Sequence, residues 1–222
     1  MTAKAKSNSH RALDELRQMI FTGTLSAGSD HLESELADKL QMSRTPVREA
    51  VLTLEGQGLL EMRPRKGVRI TSLSAADMAD IYDVLTELES LAAQRAATVG
   101  YTTDDLSKLH AAITDMDNAL AIPDLDAWAA ADDRFHKELV RLGRNSRIIT
   151  IVDMMSDQIK RARASTLGLR PLPTKSNDDH RLVYDAIRDG KPDQARTIHR
   201  AHRQHSKDML VDLLGKHRIQ YL

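Results

Sequence analysis

Residues 33–71 constrain the fold more than any other part of this sequence. Apolar residues recur at helical spacing on both sides of a short polar corner, with Leu36 and Leu40 before it and Val51 and Leu54 after it. Two short amphipathic helices with these apolar faces can share one small core. The segment therefore predicts a helix-turn-helix unit.

The corner between the two predicted helices carries its own start signals. Ser43 or Thr45 can accept a backbone N–H bond at the start of the second helix. Pro46 suits the first turn, because the N–H that it lacks has no partner there in any helix. The second helix is therefore predicted to begin at this corner.

A basic β-hairpin is predicted directly after the two helices. Residues 59–63 and 68–71 read as strands, and residues 64–67 have the composition of a turn. Alone, a basic hairpin is as typical of a solvated surface loop as of a binding element. Because it follows a helix pair, we interpret it as the wing of a winged helix-turn-helix.

Beyond the hairpin, the pattern is helical throughout. Ser74 with Asp77 is a capping pattern for a long helix, and similar pairs, Thr102 with Asp105 and Ser176 with Asp179, predict later helix starts. About six helices with short connections favour an antiparallel bundle. The predicted organisation is a flexible arm (residues 1–9), a winged helix-turn-helix (residues 10–72) and a helical domain (residues 73–222).

Composition agrees with a mostly α protein and bears on its partners and cellular location. Aromatic residues make up only 3% of the chain, which disfavours a sheet-rich architecture. The 32 basic and 32 acidic residues cancel, so overall charge gives no sign of a nucleic-acid partner. Cysteine is absent and no apolar run is long enough to span a bilayer. We expect a cytoplasmic protein without a membrane segment.

The first turns of the second helix are the predicted site of base readout. In helix-turn-helix proteins these turns enter the major groove, where an arginine fork can bind guanine. Backbone phosphates suit a helix N-terminus and a basic wing with a glycine. The predicted DNA-binding residues are Ser43, Arg44, Thr45, Arg48, Arg65, Lys66 and Gly67. The alternative is that Arg44 and Arg48 are ordinary surface arginines, one of them paired with Glu49 or another acid.

This region resembles the winged-helix DNA-binding domain of the GntR family of bacterial transcription regulators. The resemblance covers roughly residues 10–71 and implies that Arg44 and Arg48 contact operator bases. The matching residues are Leu36-Ala37, Ser43-Arg44-Thr45-Pro46-Val47-Arg48-Glu49-Ala50, Leu54, Gly58-Leu59 and Gly67-Val68.

Polar residues interrupt three inward-facing stripes of the helical domain. Asp132 and His136 lie in register with apolar neighbours on one helix, and His180 and His202 do so on two others. Buried carboxylates and imidazoles are costly without partners. A metal ion held by all four is one explanation; separate histidines, each with a local hydrogen bond, or an Asp132–His136 pair are the other.

The same four residues are similar to the Asp-His-His-His metal ligands of the FCD effector domain found in one GntR subfamily, over about residues 75–215. The resemblance implies an all-helical bundle that holds a divalent ion (Zn, Ni or Mn) and senses a small carboxylate. Many members carry an arginine in the first bundle helix, where this chain has Leu85. Arg161 or Arg163 could replace it, and His199 could line the pocket.

We therefore predict a homodimeric, sequence-specific transcription regulator, most simply a repressor, that reads a near-palindromic operator in double-stranded DNA. One rival is a metal-dependent hydrolase with an Asp-His₃ site, but that class does not explain the winged head. Another is a non-specific DNA-architectural protein, but that class does not explain the second domain.

Overall fold

The computed structural model describes residues 7–216 of the chain. Most of the predicted flexible arm, residues 1–6, lies outside this range, as do residues 217–222 of the predicted helical domain. The end of the predicted arm is structured instead: helix α1 (Asn8–Phe21) begins there, and the Ser7 side chain accepts a hydrogen bond from the backbone N–H of His10.

Two short helices follow α1, as the sequence predicts. Helix α2 (Glu33–Leu40) begins where the Glu35 side chain accepts the backbone N–H of Leu32, and it ends at Gln41 in the left-handed conformation. Helix α3 (Arg44–Gly56) begins directly after Ser43, although the Ser43 side chain makes no capping hydrogen bond.

The wing belongs to a small antiparallel sheet of three strands in the described part of the chain. Strand β1 (Asp30–His31) pairs with β3 (Gly67–Ile70), which also pairs with β2 (Leu60–Arg63), so the order is β1-β3-β2. The hairpin is confirmed. Strand β1 was not predicted, because two polar residues carry no alternating pattern.

The apolar faces of these helices and strands meet in one core. Helix α1 contributes the residues spaced at i, i+4 and i+8, and α2, α3 and the hairpin supply the rest. Its members include Ala12, Leu16, Ile20, Leu36, Leu40, Val47, Val51, Leu54, Val68 and Ile70.

Six helices make up the rest of the described chain. They are α4 (Ala75–Val99), α5 (Ser107–Ala121), α6 (Leu125–Leu142), α7 (Ser146–Thr166), α8 (Thr174–Arg188) and α9 (Pro192–Lys216), with a short 3₁₀ turn (Leu167–Leu169) between α7 and α8. The fold class is confirmed: a winged helix-turn-helix followed by an all-α region. None of these helices is long and apolar enough to cross a membrane.

Two predicted helix starts differ from the structure. The Thr102–Asp105 pair forms its hydrogen bonds, but it closes a turn, and α5 begins only at Ser107. Helix α8 begins at Thr174, two residues before the predicted cap Ser176. A capping pattern marks a turn that can open a helix without requiring that it does.

The chain divides into two compact units. The first contains the described residues up to Ser74 together with Asp153–Ala164, and the second contains Ala75–Val152 and the described residues from Ser165 onward. The core of the second unit includes Ala93, Leu109, Met116, Trp128, Phe135, Leu139, Val183 and Ile187.

Candidate functional site

The start of α3 presents polar side chains to solvent. Arg44, Thr45 and Arg48 are exposed there, whereas Pro46 and Val47 are buried against the core. Neither arginine has an acidic partner among residues 7–216. Glu49, the acid that the sequence offered as a partner, contacts the Ser9 hydroxyl instead. Both guanidinium groups are therefore available to an outside ligand.

The tip of the hairpin is basic and tightly built. Arg65 and Lys66 are exposed, and Arg65 has a left-handed backbone with φ 64°. Gly67 has φ 86°, and a Cβ there would lie 2.3 Å from the backbone oxygen of His31. Only glycine fits at this position, because the backbone of β1 leaves no room for a Cβ. Its predicted contact with DNA stays a prediction.

Three helices bring the four predicted metal ligands together. Helix α6 supplies Asp132 and His136, α8 supplies His180 and α9 supplies His202. Asp132 Oδ1 lies 3.7 Å from His136 Nε2 and 3.6 Å from His180 Nε2. One nitrogen from each of the three histidines lies within 4.8 Å of the others. Metal–ligand bonds of about 2.1 Å place tetrahedral ligand atoms about 3.4 Å apart, so small side-chain movements would close this site on an ion.

Several imidazole nitrogens of this cluster are buried without a hydrogen bond. Among the described residues, His136 Nε2 and both ring nitrogens of His180 and of His202 have no hydrogen-bond partner. Each unsatisfied buried polar group costs about 1–3 kcal/mol. Local hydrogen bonds therefore do not account for His180 and His202. A single cation would bind one nitrogen of each of the three rings, and one carboxylate with three imidazoles is a donor set typical of Zn²⁺ or Ni²⁺.

Burial sets the protonation of the cluster. It lowers the pKa of His180 and of His202 well below the usual value, with help from neighbouring histidines. Burial also acts to lower the pKa of His136, but the nearby carboxylates of Asp132 and Glu89 together raise it. Two of the three rings are thus neutral at pH 7, the form that binds metals.

Glu89 on α4 forms a second layer behind the cluster. Its carboxylate accepts a hydrogen bond from His136 Nδ1 at 2.9 Å and from His199 Nε2 at 3.1 Å, and it pairs with Arg203 at 3.4 Å. Burial raises the pKa of Glu89, but Arg203 and His136 outweigh it and hold that pKa well below the usual value. An anionic Glu89 fixes the His136 ring with Nε2 toward Asp132, an arrangement common behind metal ligands.

A second carboxylate lies beside His202. Asp179 Oδ2 is 3.5 Å from His202 Nδ1, and Lys175 pairs with the same carboxylate at 2.8 Å. Two of the three candidate histidine ligands therefore have an acidic group beside Nδ1: Glu89 beside His136 and Asp179 beside His202.

The residues predicted for the effector pocket have different fates. His199 is buried, and its pKa is lowered to about 4, chiefly by burial, although it bonds Glu89. Leu85 is buried on α4, one turn before Glu89. Arg161 donates to the backbone oxygen of Thr71 and lies in the first compact unit. Arg163 is half-buried near the end of α7.

Sequence reasoning missed Glu89 and Arg203. Glu89 belongs to an acidic run that resembles a solvated helix face, and Arg203 follows a histidine on a helix rich in basic residues. Helical periodicity could have found both. Glu89 lies seven residues after the buried Tyr82, and Arg203 lies four after His199.

Comparisons with known proteins identify both parts of the chain. Residues 8–70 match the family described as "Bacterial regulatory proteins, gntR family", and residues 80–205 match the family described as "FCD domain". An HTH-type transcriptional regulator of Agrobacterium vitis is 41% identical over 58% of this chain and 77% of that protein. The gluconate operon transcriptional repressor of Bacillus licheniformis is 30% identical over 64% of this chain and 57% of the repressor. A crystal structure of a GntR transcriptional regulator from Rhodococcus sp. RHA1 has a TM-score of 0.73 at 22% identity, covering 93% of this chain and 99% of that one.

Proposed function

The chain belongs to the gntR family of bacterial regulatory proteins and carries an FCD domain, and from this premise we propose a homodimeric repressor that senses a small organic acid through a metal ion. Membership of the family makes it a DNA-binding transcription regulator and excludes the hydrolase. The repressor role is supported by the gluconate operon repressor of Bacillus licheniformis.

DNA recognition falls to the first turns of α3 and to the wing. Arg44 and Arg48 are exposed at i, i+4, which suits two guanidinium forks in one major groove. Ser43 and the N-terminus of α3 suit a phosphate, and Arg65 and Lys66 suit the backbone beside the wing. Two copies related by a two-fold axis read a near-palindromic site.

The histidine cluster is the proposed sensor, and its unbonded ring nitrogens are the observation that carries this proposal. Asp132, His136, His180 and His202 would hold the ion. A bound divalent ion supplies positive charge and an open coordination position that accepts a carboxylate oxygen. Glu89 orients His136, and the apolar residues around Phe135 exclude water.

Effector binding changes the equilibrium between two arrangements of the DNA-binding heads in the dimer. A ligand shifts such an equilibrium only through different affinities for the two states. In the proposed mechanism, the effector adds contacts to helices that supply the ligands, and the preferred spacing of the heads changes with the packing of those helices.

Elemental analysis tests the sensor directly. We expect about one ion per chain in the wild type and much less in His136→Ala and His202→Ala, because each variant removes one ligand. His205→Ala is the matched control, since His205 is exposed on the same helix as His202. Equal metal content in all four proteins would end the metal proposal. The DNA-binding proposal is tested separately, by gel shifts with operator DNA.

A further inference from the structure

Helix α3 carries an exposed leucine on the side that faces away from its core. Leu52 is 50% exposed, whereas Val51 and Leu54 on the same helix are fully buried. At about 100° per residue, Leu52 lies about 140° around the helix from the buried Val47 and about 160° from Leu54. Packing against the core therefore does not account for this apolar side chain.

Leu52 interrupts a helix surface that is otherwise polar. A single exposed leucine is common on protein surfaces and by itself needs no explanation. This one lies on the helix that carries the residues predicted to read DNA bases, so its position there matters. The other exposed side chains of α3 are those of Arg44, Thr45, Arg48, Glu49 and Thr53.

The position of Leu52 matches the spacing of base-reading side chains. Leu52 follows Thr45 by seven residues and Arg48 by four, so the three side chains share one side of α3. Homeodomain recognition helices contact bases from positions with this spacing, i, i+3, i+4 and i+7. The remaining position in α3 is Glu49, whose carboxylate contacts the Ser9 hydroxyl. Thr45, Arg48 and Leu52 therefore form the outward side of the helix.

The chemistry of the major groove indicates what an apolar side chain meets there. The edges of the base pairs present hydrogen-bond donors and acceptors, and the one apolar group among them is the C5-methyl group of thymine. The backbone presents charged phosphate oxygens, which suit basic and polar side chains but not a leucine. A leucine on the groove-facing side of a helix therefore has a single type of favourable base partner.

We infer that Leu52 is a specificity-determining residue that contacts the C5-methyl group of a thymine in each half-site of the operator. This inference rests on the base readout proposed above for α3 and adds one base to it. Four residues of helix span about 6 Å and a base-pair step spans about 3.4 Å, so the thymine lies within about two base pairs of the base that Arg48 contacts. The contact removes two apolar groups from water, which favours thymine over the other bases.

Selection from random-sequence duplex DNA by the full-length protein identifies the sites to be tested. Arg48→Ala should lose the preference of the wild type at one position of each half-site. Leu52→Ala should lose a preference for thymine at a different position, within about two base pairs of the first. Leu182→Ala is the matched control, because Leu182 is 49% exposed on α8, and it should select the same sites as the wild type.

Replacing thymine with deoxyuridine then tests the contact at the level of one methyl group. The probe is the selected duplex in which one thymine of one half-site is changed to deoxyuridine, which keeps the base pair and removes only the C5-methyl group. In quantitative gel shifts, the wild type should bind the changed duplex about fourfold more weakly, as expected for one buried methyl group. Leu52→Ala should bind both duplexes equally, because its side chain is too short to reach the methyl group. Leu52→Met, which stays long and apolar, should keep most of the preference.

The comparison of two duplexes separates a base contact from an effect on folding. Both duplexes are measured against the same sample of each variant, so a partial loss of folded protein cancels from the ratio of affinities. If every change from thymine to deoxyuridine affects the wild type and Leu52→Ala alike, the inference is wrong. It is also wrong if Leu52→Ala selects the sites of the wild type, or if Leu52→Met loses the preference as Leu52→Ala does.

Failure of the proposed base readout gives a different result. If Arg48→Ala loses its preference but no thymine methyl group depends on Leu52, the base readout stands and Leu52 does not read a base. If Arg48→Ala selects the sites of the wild type while the methyl effect disappears in Leu52→Ala, the thymine contact stands and the readout by Arg48 is wrong. If the wild type selects no preferred sequence, both are wrong.

Discussion

Replacing Glu89 with Gln should weaken both the fold and the metal site, because one buried carboxylate serves three partners. Its oxygens lie 2.9 Å from His136 Nδ1, 3.1 Å from His199 Nε2 and 3.4 Å from Arg203. The low pKa of Glu89, set by Arg203 and His136 against the effect of burial, keeps it charged at neutral pH. Glutamine keeps the shape and removes that charge.

Two magnitudes follow from this geometry. Removing one partner of a buried ion pair costs about 3–5 kcal/mol, and the lower end applies because Arg203 keeps its contact with the Tyr82 ring. Removing the carboxylate behind a metal-ligating histidine costs about 10- to 100-fold in metal affinity. We therefore expect about 3 kcal/mol less unfolding free energy in the metal-free protein, and a metal dissociation constant about 10- to 100-fold higher.

Urea unfolding of metal-free protein measures the first quantity, and competition with a chelator measures the second. Glu87→Gln is the matched control: Glu87 lies two residues earlier, is about half exposed (47%) and pairs with Arg200 on the surface. Such surface pairs contribute about 0–1 kcal/mol. If Glu89→Gln resembles Glu87→Gln in both measurements, the second-layer role of Glu89 is refuted.

Three further outcomes test the rest of the structure. Arg48→Ala should cost about 1–3 kcal/mol of binding free energy on the specific operator and relax the sequence preference of the protein, whereas Lys66→Ala should weaken binding to specific and random DNA alike. If Arg48→Ala weakens binding to specific and random DNA equally in quantitative gel shifts, base readout by Arg48 is contradicted. Metal affinity should fall up to about tenfold per pH unit as the pH drops through the pKa of His136, because a proton then competes with the metal, and Asp132 and Glu89 raise that pKa against the effect of burial. A pH-independent affinity in chelator competition would contradict this. Gly67→Ala should lower the free energy of unfolding in urea by about 1–3 kcal/mol, and by more than Gly23→Ala. Both glycines have positive φ, but only at Gly67 would an added Cβ lie 2.3 Å from a backbone oxygen. Equal losses in the two variants would contradict the clash.

Elements whose residues show a clear hydrophobic periodicity were predicted well from the sequence. The apolar spacing of Leu36, Leu40, Val51 and Leu54 predicted the helix pair, because one small core accepts only that periodicity. Strand β1 escaped prediction because pairing with β3, rather than any preference of Asp30-His31, makes it a strand.

The candidate site was predictable only in part, because some of its contacts depend on how the helices pack. Asp132, His136, His180 and His202 break apolar stripes, so periodicity alone indicates that they are buried. Glu89 and Arg203 are buried as a pair, and each explains the burial of the other. Helical periodicity can place each residue on an inward face, but that the two form an ion pair between α4 and α9 is apparent only once the packing of those helices is known.

Leu85, where the family resemblance led us to expect an arginine, is buried one turn before Glu89. The guanidinium that neutralises Glu89 is that of Arg203 on α9. Because α9 also carries His199 and His202, its position is tied to α4 through Glu89 and to α6 through the cluster around Asp132. An ion and an effector bound among these residues would therefore act on the packing of α4, α6, α8 and α9 together, which gives a ligand in the helical region a physical means of favouring one arrangement of the protein over another.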